Sequence, residues 1–221
     1  MPRSGWPVGL IFGLSLVALV SLVGPLLLFN PLFTSALQAR HDVASAFGTT
    51  RAEVDRVTAE ILVDLYADGS FDAAFEGEEP LLDERERSHL HDVAVLVRVL
   101  AAVAVVAVVL AALSGAWLRE ERWRLGRLML LAAGGIGVVA VVLALLFAVA
   151  FEPAFLAFHQ LFFPPGTYLF EPGSELITLF PQGFWFDAAL VAGGAIVLSA
   201  LLVGLVGLRL RRSSPATPAR A

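Results

Sequence analysis

Cysteine is absent from the 221 residues, and so is lysine. Without cysteine there is no disulfide framework, no thiolate metal site and no thiol nucleophile. Without lysine, all fifteen basic side chains are arginine. Charge of either sign is scarce: Asp, Glu, Lys and Arg together make up 16% of the chain. What charge there is comes in blocks separated by long uncharged stretches. No nucleic acid is expected as a partner.

Apolar residues fill the remaining space. They reach 58%, with a mean hydropathy of +0.80, where a soluble domain is about half apolar. Crossing about 30 Å of hydrocarbon takes roughly 20 helical residues. Four stretches meet that length, at about 7–29, 93–118, 128–151 and 188–208. The first is too long for a signal-peptide core of about 7–15 residues and is read as a retained helix that Pro25 can kink. Glycines at Gly134, Gly135, Gly137, Gly193, Gly194, Gly204 and Gly207 suit close helix contacts in lipid.

Charge asymmetry orients the spans. Arg3 precedes the first, Arg119, Arg122, Arg124 and Arg127 lie in the 119–127 loop, and Arg209, Arg211, Arg212 and Arg220 lie in the 209–221 tail. The positive-inside rule places these segments in the cytoplasm. The loops of 30–92 and 152–187 then lie outside, and they hold eighteen of the twenty acidic residues. The expected architecture is an all-α integral membrane protein: a single domain, a four-transmembrane-helix bundle with both termini inside, and two extracytoplasmic loops capping the outer face.

Both loops carry structure. Thr50-Arg51-Ala52-Glu53 has the form of a capping box, and Val54, Val57, Ile61, Leu62 and Leu65 follow at helical spacing. An amphipathic helix over about 51–66 is predicted, stopping near Gly69, with its apolar face on the membrane or on the other loop. Residues 67–82 are acidic and loop-like. A second box, Asp83-Glu84-Arg85-Glu86, opens a helix running on into the second span. The second loop holds nine phenylalanines between Phe151 and Phe186, with Tyr168, Trp185 and five prolines. Proline breaks rule out one long helix. This composition suits an interfacial aromatic belt, or a platform partly sunk among the headgroups.

The four histidines, His41, His89, His91 and His159, all fall near the outer ends of spans. Glu86, His89 and Asp92 lie three residues apart, on one helical face, where a carboxylate can orient an imidazole. His91 points nearly the opposite way, toward the face of Arg98. His41 and His91 read as interfacial side chains with wet tips. His89 and His159 read either so or as partners across the two loops. Glu86-x-x-His89 is also a carboxylate–histidine ligand spacing, although a metal site is not favoured where no thiolate and only one such pair exist. Arg98, an arginine just below the outer surface, can snorkel, pair with an acidic loop residue or hold a substrate oxygen.

At these residues the chain resembles a known family. A first span leads to a long outer loop ending in E-x-x-H-L-x-D-V (Glu86 to Val93), and two spans follow. Then come F-H-x-L-F-F (Phe158 to Phe163), P-x-x-E-L-I-x-L-F-P (Pro172 to Pro181), Phe184-Trp185 and a last span. This order is similar to the bacterial integral membrane family of the lipoprotein intramolecular transacylase. The resemblance implies transfer of the sn-2 acyl chain of a diacylglyceryl-cysteine lipoprotein to that cysteine's own α-amino group. It implies His89 and His159 as the catalytic pair, with diacylated lipoproteins and membrane lipid as partners and no cofactor or metal. Glu86 and Asp92 would orient the histidines. Arg98, Tyr168, Glu175 and Trp185 are possible substrate or oxyanion contacts. The sequence departs from the family pattern at Tyr168, at Glu171-Pro172 and at Glu175. The alternatives are a non-enzymatic lipid-binding or assembly subunit, and a metal-dependent membrane hydrolase.

Overall fold

A computed structural model describes residues 5–212; Arg3 and Arg220 lie outside the described residues. Nine helices occur among these residues: α1 (Trp6–Leu28), α2 (Pro31–Arg40), α3 (Val43–Ala46), α4 (Arg51–Ala67), α5 (Glu84–Trp117), α6 (Arg122–Val149), α7 (Phe151–Phe162), α8 (Glu175–Leu179) and α9 (Gln182–Arg212). Four of them, α1, α5, α6 and α9, are long and apolar enough to cross a membrane. The protein is an all-α, multi-pass membrane protein. Pro25 lies inside α1, three residues from its end.

Two compact units divide the described chain. One consists of residues 5–24, 102–143 and 193–212. Its interior is thin: Val20, Ala133, Ile136 and Ala200 are buried, with Ile196 and Val203 against them. Val105, Val106, Val108 and Val109 of α5 and Val138, Val139, Val141 and Val142 of α6 are exposed, as are Leu201, Leu202 and Leu205 of α9. A helix apolar on every side suits hydrocarbon as solvent, since lipid tails and leucines are equally apolar.

One glycine pair brings two helix backbones of this unit into close contact. A Cβ added at Gly126 of α6 would lie 2.4 Å from the Gly207 carbonyl of α9, and one at Gly207 would lie 2.8 Å from the Gly126 carbonyl. Of the glycines singled out from sequence, Gly134, Gly135 and Gly194 face open space, and Gly137 and Gly204 meet only methyl groups at ordinary contact distance. Gly207 bears out the expectation of close backbone approach. Its partner Gly126 went unnoticed because it stands singly, outside any small-residue run.

The second unit consists of residues 25–101 and 144–192. It is built as a soluble domain would be, around a core of its own. Val54, Val57, Ile61, Leu62 and Leu65 of α4 are buried with Leu90 and Ala94 of α5 and Leu176 and Leu179 of α8. The apolar face of α4 therefore turns into a core that both outer loops and the start of α5 build together. Residues 67–82 are not a bare acidic connector, because Phe71, Ala73, Phe75 and Leu82 turn into the same core.

Both N-caps form, but the Glu53 carboxylate turns to Arg56 and to Glu76 N–H, so the first box stays half-closed. Thr50 Oγ1 accepts from Glu53 N–H at 3.2 Å. The second box is reciprocal: Glu86 N–H donates to Asp83 Oδ1 at 2.8 Å, and Asp83 N–H donates to Glu86 Oε2 at 2.9 Å. At its other end α4 stops on Asp68, in the left-handed conformation at φ 60°.

Candidate active site

His89 and His159 lie seventy residues apart in sequence and stack in space. Their ring centroids are 6.0 Å apart with planes inclined at 28°. His89 projects from the second turn of α5, where the Asp83–Glu86 box sets the start of the helix. His159 sits near the end of α7. The two imidazoles share an aromatic box. Phe163 and Phe170 meet the His89 ring edge-on at 5.0 and 5.6 Å, and Phe155 and Tyr168 lie 4.3 and 5.3 Å from His159.

The two rings differ in their polar partners. His159 Nδ1 is 2.8 Å from the Phe155 carbonyl. A carbonyl only accepts, so Nδ1 carries the proton and the neutral ring keeps its lone pair on Nε2. Desolvation pushes the His159 imidazole below its usual range, and the Phe155 carbonyl partly offsets this. His89 is 6% exposed, far more enclosed than an interfacial side chain with a wet tip. Its Nδ1 is buried with no hydrogen-bond partner among the described residues. Such an orphan costs about 1–3 kcal/mol, which a substrate donor or acceptor could recover.

The remaining residues singled out from sequence fall into three groups. Tyr168 touches His159, and Trp185 stands one ring further away, 6.0 Å from Phe155. Glu86 is 2% exposed but does not hydrogen-bond His89. Its Oε1 accepts from the Ser174 hydroxyl and from Leu176 N–H at 2.9 Å, and its Oε2 accepts from Asp83. A carboxylate so occupied is organised for N–H and O–H donors, not for a metal ion shared with His89. No group of three metal-ligating side chains occurs among the described residues.

The third group lies away from the pair. Arg98 bonds Asp68 at 2.6 Å; nine residues beyond His89, it lies half a turn around α5 and about 13 Å along it. Asp92 makes no hydrogen bond or ion pair among the described residues, and Glu175 opens α8. His41 pairs with Asp187 at 3.0 Å, beside Arg40 at 2.8 Å. His91 stands edge-on to Phe71 at 4.9 Å. Sequence reasoning missed Phe155, Phe163 and Phe170 as individuals. Their only signal was the aromatic density of the second loop.

Four apolar crossing helices and a stacked, half-desolvated histidine pair in an aromatic box define a polytopic membrane protein with a candidate acid–base site. The profile of the lipoprotein intramolecular transacylase Lit family matches residues 8–185, and the chain belongs to that family. No curated protein matches it by sequence. Among solved structures, the membrane-integral lipoprotein intramolecular transacylase Lit from Bacillus cereus superposes with a TM-score of 0.84 at 16% identity, covering 96% of this chain and 98% of that one. Two variants of that protein, carrying histidine-to-arginine and histidine-to-alanine replacements, each superpose with a TM-score of 0.74 at 16% identity. Each covers 93% of this chain, and 91% and 92% of its own respectively. At that identity the likeness is one of fold.

Proposed function

We propose that this protein is a lipoprotein intramolecular transacylase that moves the sn-2 acyl chain of a diacylglyceryl-cysteine lipoprotein to the α-amino group of the same cysteine. The observation that carries this reading is the stacked pair, with a free Nε2 on His159 and an unpartnered buried Nδ1 on His89, in a chain that belongs to this family. The α-ammonium gives its proton to a neutral imidazole, and His159 Nε2 is suited to receive it. The amine nitrogen then attacks the ester carbonyl carbon. The nitrogen gives its second proton to the histidine pair, the tetrahedral oxyanion collapses with cleavage of the bond between the acyl carbon and the sn-2 oxygen, and the departing alkoxide takes a proton from the pair, which passes the remaining one to solvent. The products are an amide and a free hydroxyl. Nucleophile and electrophile arrive on one molecule, so their proximity is part of the substrate, and no covalent enzyme intermediate is needed.

On this reading the arginine-rich segments face the cytoplasm and the histidine site faces the outer side of a bacterial cytoplasmic membrane, where lipoprotein N-termini reside. Mass spectrometry of lipoprotein N-termini tests the activity. Cells carrying the protein should contain N-acylated, monoacylglyceryl termini that cells without it lack. Chelator should leave product formation by the purified protein intact. Loss of activity restored by one added metal would favour the hydrolase, and unchanged termini would favour a non-enzymatic subunit.

The pH dependence has a definite sign. A base must be neutral to act, and desolvation holds the His159 pKa below its usual value. The acid limb of the rate profile should therefore fall below the ordinary imidazole value of about 6.5, with activity kept at pH 6.5 and lost on further acidification. A rate that already halves above pH 7 would contradict this assignment.

A further inference from the structure

The segment between α7 and α8 supplies three walls of the aromatic box: Phe163, Tyr168 and Phe170. It has no secondary structure of its own to hold these rings. Gly166 at φ 88° and Gly173 at φ 97° bend it in left-handed backbone conformations. Two consecutive residues in the first turn of α5 grip it from outside. Arg85 donates to the Leu169 carbonyl at 3.0 Å, and the buried Glu86 carboxylate accepts from the Ser174 hydroxyl and Leu176 N–H. Glu86 faces no cation in this cluster, so donors from the segment and from the Asp83 cap are what stabilise its charge.

We infer that Ser174 and Glu86 are positioning residues, whose hydroxyl-to-carboxylate clamp holds the 163–174 segment and its aromatic rings against His89 and His159. The inference rests on the transacylase reading above. Ser174 has two separable roles. Its hydroxyl donates to Glu86, and its oxygen caps α8 by accepting from Ile177 N–H at 3.5 Å. Threonine can do both. Alanine can do neither. Aspartate caps a helix as well as serine does, but it has no proton to donate and sets a second carboxylate against Glu86.

The test uses the full-length protein in lipid, with rates normalised to folded protein and thermal unfolding followed in parallel. Ser174→Thr should keep the parent kcat, whereas Ser174→Ala and Ser174→Asp should each lose about 10- to 100-fold, the scale of a small misplacement of reacting groups. KM should move less than kcat, because the clamp sets the position of the reacting groups. Glu86→Ala should lose at least as much as Ser174→Ala, because it also frees Leu176 N–H and Asp83 N–H, and the double variant should lose no more than Glu86→Ala, since the hydroxyl contact is already gone. Ser174→Asp with the parent kcat would reduce Ser174 to a helix cap and overturn the clamp, as would fully additive losses. A parent protein without transacylase activity would instead overturn the catalytic reading and the clamp with it.

Discussion

Replacing His89 or His159 with alanine should lower the transacylation rate by about 10²- to 10⁴-fold, the usual contribution of a positioned general acid or base. The two effects should not multiply. The rings stack at 6.0 Å and serve one proton-transfer cycle, so the double variant should lose little more than the worse single one. Because His89 is buried, alanine there leaves a void among Phe163 and Phe170, and some instability is expected. His89→Asn fills more of the space and cannot take up a proton near neutral pH, which separates chemistry from packing. His41 and His91 serve as controls. His41 is engaged with Asp187, which keeps Arg40 as a second partner, and His91 is exposed against Phe71. Alanine at either should leave the rate within about twofold, as surface substitutions away from a site generally do. Normal product from a folded His159→Ala protein would remove the acid–base mechanism. Equal losses at all four positions would show only that this unit tolerates no change.

The second large effect concerns stability. Gly126→Ala should lower the thermal midpoint sharply, because the new Cβ would lie 2.4 Å from the Gly207 carbonyl and 2.8 Å from Arg211 Cγ. The arginine side chain can move, but the carbonyl is held in a helix. The helices must separate, at a cost of about 1–3 kcal/mol by analogy with overpacked cores. Gly134→Ala in the same helix meets nothing within 4 Å and should be neutral or slightly stabilising, since alanine is the better helix former. Thermal unfolding of the two variants in one detergent checks this. Equal midpoints would mean that the α6–α9 contact is not close enough in the membrane to exclude a methyl group.

Much of the fold was legible because membrane spanning is a local property. An uncharged apolar run of sufficient length has few alternatives to a helix in lipid, and α1, α5, α6 and α9 follow from that alone. The capping boxes at Thr50 and Asp83 were legible for a similar reason: donor and acceptor are three residues apart, and the helix itself brings them together. The periodicity of Val54, Val57, Ile61, Leu62 and Leu65 showed an amphipathic face but not what would cover it.

The sequence by itself determined the helical spans, the helix starts at Thr50 and Asp83, the placement of all four histidines near span ends and, through the family's motifs, which two of them to single out. Only the tertiary structure decided the long-range pairs. Glu86 was read as orienting His89 because the two share a helical face. The structure turns it instead to Ser174, eighty-eight residues away, because a buried carboxylate takes the donors that stabilise its charge, and His89, stacked on His159, offers it none. Arg98 was open to three readings from sequence. In the structure it pairs with Asp68, and that pairing depends on where a left-handed residue ends α4. Phe155, Phe163 and Phe170 were anonymous among many phenylalanines until packing gave each an imidazole to face. Contacts within a helical turn follow from the geometry of the helix, whereas contacts across seventy residues depend on how whole elements pack, and no local spacing encodes that.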